Sequence, residues 1–166
     1  MNKVVFNYLV IATLAIAAAF TSCKKDDDVK GVLISELYNN QEMPIDGCQY
    51  CSRPNGKIDQ IVFISPSGIS VAQIRLKKEE DISETLPAKT YTANEIIGPA
   101  LRGLDGNYYY DDGINIVMKV EVKGKTYNVT ITGKLLSEYD LINENTSNRI
   151  DYKITYKGKI EAIDCD

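Results

Sequence analysis

The chain contains no histidine and no tryptophan, and its aromatic content rests on tyrosine, 11 residues against 3 phenylalanines. Without histidine, neither a Ser-His-Asp triad nor a Cys-His pair can be assembled. The commonest general base is missing, and with it most zinc sites. A pair of carboxylates could still cleave a glycosidic bond. Such pairs leave no spacing signature along a β chain, and the acidic residues here fall mainly in expected loops and on polar faces. The chain therefore reads as non-enzymatic, with no catalytic residue, metal or cofactor assigned. Basic residues are also sparse, 19 Lys and Arg against 23 Asp and Glu for a net charge of −4. They are nowhere concentrated, so there is no footprint for nucleic acid. No heptads, internal repeats or linkers occur.

The first twenty-odd residues are of a different kind. Lys3 is the only charge before Cys23, and residues 4–22 are dense in Val, Leu, Ile and Ala. A basic start, an apolar stretch and small residues before a cut make a secretory signal peptide. The stretch is barely long enough to span a bilayer, and it ends in Thr21-Ser22-Cys23. Phe20-Thr21-Ser22-Cys23 resembles a bacterial lipobox, with Phe20 where leucine is usual. Cys23-Lys24-Lys25-Asp26-Asp27-Asp28 resembles the export signal of Bacteroidetes-type surface lipoproteins. That resemblance covers about 28 residues and concerns processing and address alone. It implies cleavage before Cys23, acylation of its thiol, and a lipid-anchored place on the outer face of the outer membrane. Several acyl chains together hold a protein stably where one does not. The expected organisation is a signal peptide over 1–22, a lipidated, charged tether over 23–30, and a single domain over 31–166, a length ample for one core.

In that domain the hydrophobic period is two. Ile114, Ile116, Met118, Val120 and Val122 alternate with polar or outward positions, and Tyr127, Val129 and Ile131 repeat the pattern after Lys123-Gly124. Two alternating runs around a short glycine loop read as a β-hairpin. Further strands are expected at 32–38, 57–65, 69–77 and 89–93, with 133–137 extending the second hairpin arm. Residues 149–163 read as one more, bent at Gly158 with Ile160 and Ala162 continuing its inner face. Ile61–Ile64 is an unbroken apolar run, expected to be buried on both faces. Gly98-Pro99 and Gly103 rule out a long helix over 94–104. The fold class is all-β: an antiparallel meander of about seven to eight strands, closed as a small barrel or packed as a β-sandwich. An up-and-down barrel of this size resembles the lipocalin-like group in architecture only, since the Gly-x-Trp signature is absent.

Two stretches carry candidate chemistry. Asp105 to Gly113 is rich in Asp, Asn and Gly, but Tyr109 stands where a calcium loop of the EF-hand type needs an oxygen ligand, so the stretch reads as a turn. Within it, Tyr108, Tyr109 and Tyr110 are the candidate ligand-binding residues: adjacent residues of a strand alternate faces, so at least one ring must be exposed or line a cleft. Cys48 and Cys51 form a Cys-x-x-Cys pair followed by Pro54-Asn55-Gly56. That turn leaves no helix behind the cysteines to stabilise a redox thiolate. In an oxidising setting Cys48, Cys51 and Cys165 are disulfide candidates. Cys165 with Cys48 or with Cys51 would close a loop of roughly 100 residues, worth up to about 4.7 kcal/mol in the chain-entropy view, and a Cys48–Cys51 bond would contribute less.

Two functions are expected from these features. One is a membrane-anchored module that binds a glycan or small molecule on Tyr108–Tyr110. The other is a protein-interaction module, such as an inhibitor of a secreted protease or an assembly partner, presenting the Met43–Gly56 segment as a rigid loop.

Overall fold

The alternation of apolar and polar residues is realised as thirteen strands in a computed structural model that describes residues 30–52, 57–81 and 86–164. For residues 51, 52, 57, 58, 78–81 and 164 only the backbone is described. The signal peptide, Cys23 and Cys165 lie outside the described residues. In chain order the strands are β1 Gly31–Ser35, β2 Met43–Ile45, β3 Gly47–Ser52, β4 Lys57–Ile64, β5 Ser70–Asp81, β6 Thr90–Thr92 and β7 Ile96–Ile97. They continue with β8 Ala100–Arg102, β9 Tyr108–Asp111, β10 Val117–Lys123, β11 Thr126–Ser137, β12 Ile150–Gly158 and β13 Glu161–Asp164. A short helix, α1, spans Glu138–Ile142.

The hairpin of β10 and β11 has the register Lys123↔Thr126 and Val117↔Thr132. Gly124 takes φ +63° at the first central position of its two-residue loop, a backbone region that glycine enters without steric cost. β11 continues unbroken to Ser137 and is the spine of the larger sheet. β12 lies on one edge of β11, and β10 and then β9 share the other. β1 docks on the far side of β12, so the two ends of the domain are neighbours. The strand order is β2-β1-β12-β11-β10-β6, with β9 on β11 and β8 on β9. The second sheet has the order β13-β3-β4-β5-β7, with β13 parallel to β3. The larger sheet curls into a half-barrel and the second packs across it. All-β architecture is thus realised, as two sheets.

The inner faces meet through Leu33, Ile131, Ile154 and Met118 from the large sheet and Ile61, Phe63 and Ile74 from the small one, all fully buried. Phe63 meets the ring of Tyr156 edge-on with centroids 6.2 Å apart, a favourable aromatic geometry. The sheets join at a corner where the Asp46 N–H donates to the Ile64 carbonyl at 2.9 Å.

Several expectations change. Residues 36–38 form a 3-10 turn rather than the end of β1, because the Ser35 hydroxyl accepts from the Leu37 N–H and Asn39 takes φ +54°. Val62 and Ile64 are only half-buried, so β4 has one core face, not two. Ile114 is exposed, and β10 begins only at Val117. The last strand breaks after Gly158, and its continuation crosses to the other sheet as β13. Ile160 packs on the core, but Ala162 is exposed. The Met43–Gly56 segment is not a loop over 43–52, where β2 and β3 are paired into the two sheets; residues 53–56 lie outside the described residues. Replacing a fully buried aromatic leaves a cavity. Phe63→Ala is expected to lower unfolding stability in urea by about 3–5 kcal/mol, and Ile114→Ala by less than about 0.5 kcal/mol. Equal losses would overturn this placement of the core.

Candidate functional site

β9 is a strand that the turn-rich composition of Asp105–Gly113 concealed. It pairs with β8 through Arg102↔Tyr108, Leu101↔Tyr109 and Ala100↔Tyr110, and with the end of β11 through Leu136↔Tyr110 and Ser137↔Tyr109. Strand alternation then sorts the three tyrosines. Tyr109 turns toward the core and packs against it. Tyr108 and Tyr110 share the outer face, with ring centroids 6.5 Å apart and planes inclined by 30°. Tyr108 is 52% exposed and Tyr110 half-buried. Directly across the ladder from Tyr110 lies Leu136, which is 2% exposed yet stands apart from the main core. By register it shares the outer face with Tyr110.

Two polar clusters fix this platform. In the first, Asp111 ends β9 with its carboxylate turned inward. Its Oδ2 accepts from the Tyr152 hydroxyl at 2.8 Å, and its Oδ1 from the Gly113 N–H at 2.8 Å. Burial pushes the Asp111 carboxyl above its ordinary pKa, against the opposing pull of those two hydrogen bonds. Gly133 makes room for it: a Cβ there would meet the Tyr152 hydroxyl at 2.7 Å. The neighbouring Asp112 accepts from the Ile114 and Asn115 N–H groups at 2.9 and 3.1 Å. Its Oδ2 lies 2.8 Å from Arg149 Nε, an ion pair without an aligned hydrogen bond. Burial opposes ionisation of Asp112, but the hydrogen bonds and Arg149 outweigh it and its pKa falls below the ordinary value. These contacts turn the chain between β9 and β10, which otherwise follow one edge of β11.

The second cluster seats α1 on the ends of β11 and β9. The Ser137 hydroxyl caps the helix by accepting from the Asp140 N–H at 3.0 Å, and donates to Asp140 Oδ2 at 2.6 Å. Asn145 Nδ2 donates to Asp140 Oδ1 at 2.7 Å and Asn148 Nδ2 to the same atom at 3.2 Å. With Asp140 held inward, Tyr139 and Ile142 are each left 74% exposed. The hydrogen bond from Ser137, with those from Asn148 and Asn145, lowers the Asp140 pKa.

Asp105 serves the loop before β9. Its carboxylate accepts from the Asn107 N–H at 3.1 Å and from the Tyr109 hydroxyl at 2.8 Å. A separate cleft of about 540 Å³ lies at the opposite end of the molecule, lined by Lys30, Asp46, Cys48, Tyr156, Lys159 and Glu161. There Lys30 pairs with Asp46 at 3.5 Å, and burial raises the Tyr156 hydroxyl to about 12.

The cysteines divide. Cys48 is a free thiol, 1% exposed, and burial drives its pKa upward. Cys165, its expected partner, lies outside the described residues. Positions 48 and 51 lie three residues apart on the extended backbone of β3. The pairings of Cys51, with Cys48 or with Cys165, concern side chains outside those described.

Comparison of the chain with protein families, with curated proteins and with solved structures found no match. The site is therefore read from its own geometry.

Two outcomes are expected here. Asp111→Asn preserves an acceptor for Tyr152 and should change stability by less than about 1 kcal/mol, whereas Asp111→Ala strands a buried hydroxyl and should cost about 1–3 kcal/mol in thermal or urea unfolding. Equal costs would show that the carboxyl oxygens do not hold β9. For Asp140 the folded pKa is depressed, so its contribution is complete above roughly pH 4, the unfolded value, and is lost as pH falls through the folded value. The side-chain amide resonances of Asn145 and Asn148 should titrate with a midpoint below about 3.9. A midpoint at or above that would contradict the cluster.

Proposed function

We propose that this protein is a lipid-anchored binding domain of the outer membrane surface, holding a glycan or similar amphipathic small ligand on Tyr108 and Tyr110. The observation that carries the reading is the pair of neighbouring rings on one outward face, 6.5 Å apart, beside the buried Leu136. Tyrosine offers an apolar ring and a polar tip, which suits the alternation of C–H faces and hydroxyls on a sugar. With two side-chain torsions it loses little entropy when a ligand settles on it. Exposed Arg102, opposite Tyr108 on β8, supplies hydrogen-bond donors at the platform's edge.

Placement supports the reading. Lys30, where the tether expected to follow Cys23 meets the domain, pairs with Lys157 through its backbone carbonyl. The row Gly31–Tyr156–Val129 lies at that end, and the row Tyr109–Ser137 at the other. Some eight residues of β11 separate the two rows, about 27 Å. A domain anchored through Cys23 would thus carry the tyrosines on the end remote from its tether.

A second reading has its own observation. Tyr139 and Ile142 extend exposed apolar surface along α1, beside β9, and such a surface suits a protein partner. The two are separated by one experiment: titration of the wild type and of Tyr108→Ala/Tyr110→Ala against a panel of soluble oligosaccharides by calorimetry or native mass spectrometry. Binding to at least one oligosaccharide is expected, weakened tenfold or more in the double variant, roughly the loss of one good ring contact per tyrosine. Wild-type binding unaffected by the double substitution would reject the platform, and no binding across the panel would favour the protein partner.

A further inference from the structure

The net negative charge of the chain is distributed unevenly along its long axis. At the end where Lys30 enters, the register gathers five exposed lysines. Lys157 is hydrogen-bonded to Lys30 through the backbone, Lys159 follows the last residue of β12, and Lys123 and Lys125 flank Gly124 in the β10–β11 turn opposite Gly158. Among the described residues, the acidic ones at this end are Asp46, Glu121 and Glu161. Asp46 is paired with Lys30 at 3.5 Å, and Glu121 with Lys119 at 2.6 Å. Lys123, Lys125, Lys157 and Lys159 form no ion pair with a described residue. Among the described residues the remote end is of opposite sign: it holds Asp105, Glu138, Asp140 and Glu144 with Arg102, and there Asp112 takes up Arg149.

The lysine end carries exposed apolar side chains as well. The Ser65–Ile69 turn lines the cleft with Lys30 and Lys159 through Ser65, Pro66 and Gly68, and Ile69, which closes the turn against Ser65, is 67% exposed. Val122, next to Lys123, is partly exposed. A small anion would be met by lysines converging on one pocket. Here they are spread over a turn, a strand end and a connection, with apolar side chains among them. That combination fits an extended surface of phosphate headgroups and underlying carbons.

We infer that this lysine-bearing end rests on the anionic headgroup phosphates of the membrane holding the anchor, setting the domain upright with Tyr108 and Tyr110 facing away. The inference rests on the lipid-anchor reading above. Lys30 lies about seven residues after Cys23, a reach of at most ~25 Å, so an anchored domain cannot take its basic end far from the bilayer. Attraction of lysines to an anionic surface adds residue by residue and fades within a Debye length, about 8–10 Å at ordinary salt.

The test uses the full chain isolated from membranes and reconstituted into two kinds of vesicle, phosphatidylcholine alone and phosphatidylcholine with about one-third phosphatidylglycerol, at both low salt and about 1 M salt. Amine-reactive labelling read residue by residue by mass spectrometry should run at least about threefold slower at Lys123, Lys125, Lys157 and Lys159 on the anionic vesicles at low salt. Lys134 and Lys153, on the body of the sheet, should label equally on both. The K123Q/K125Q/K157Q/K159Q variant should fold as the wild type and lose the lipid-dependent protection of Lys30. A chain that floats with both kinds of vesicle but labels equally overturns the inference and leaves the anchor standing. A chain that floats only with anionic vesicles overturns the anchor and upholds the lysine surface, and one that floats with neither overturns both. Equal protection by inorganic phosphate without vesicles would overturn the membrane in favour of a small-anion site.

Discussion

The hydrogen bond from the Tyr152 hydroxyl to the Asp111 carboxylate, 2.8 Å long in a half-buried setting, decides where the outer tyrosines go. A carboxylate turned inward is costly unless its oxygens are satisfied. Here each oxygen has a donor, and Gly98 and Gly133 both leave the space that the carboxylate occupies. With Asp111 pinned inward, alternation forces Tyr110 and Tyr108 outward and Tyr109 inward. The chain then leaves the sheet through the turn that Asp112 organises, and it rejoins the same edge of β11 at Val117. The platform is a consequence of one half-buried acid and two missing side chains.

The hairpin of β10 and β11 was legible in the sequence, because period-two alternation and a glycine loop are local signals. That at least one of the three tyrosine rings must be exposed or line a cleft was legible for the same reason, since adjacent strand residues alternate faces; the pairing of two on the outer face was not. What lay beyond reading was non-local. β9 is built from residues that ordinarily signal turns, and only the partners on β8 and β11 make it a strand. Leu136 and α1 complete the platform from about 30 residues away. Ser137-x-x-Asp140 does carry the spacing of a helix cap, a signal that was present but short of any helical period to support it. The crossing of the last strand to the second sheet was half-signalled by Gly158, whose missing side chain lets the Tyr156 hydroxyl fold back onto the Lys159 carbonyl. Which sheet received β13 depended on the exposed flank of β3, which no local pattern reveals.

The cysteines illustrate the limit differently. A Cys-x-x-Cys spacing suggests a ring or a redox pair only if the backbone turns between the two. In β3 it stays extended, so the spacing places the two positions on opposite faces. Cys48 then behaves as a small core residue, with burial raising its pKa and keeping it a thiol.

The two ends of the molecule are linked by β11 and β12, whose paired length sets the distance between the lysine end and the tyrosine platform. If Cys23 is the anchor, the tether by itself sets no orientation, and a platform near the middle of the outer sheet would be covered when the domain lay on that flank. On the proposed anchoring, a platform at the far end of the twelve-residue β11 would stay clear of the membrane for any tilt short of lying flat. On the same proposal, the lysine end would penalise the flat orientation further, because lying flat would bring Asp105, Glu138 and Glu144 toward anionic headgroups. For a domain anchored as proposed, the charge distribution and the strand register would therefore favour the same posture for independent reasons, one electrostatic and the other geometric.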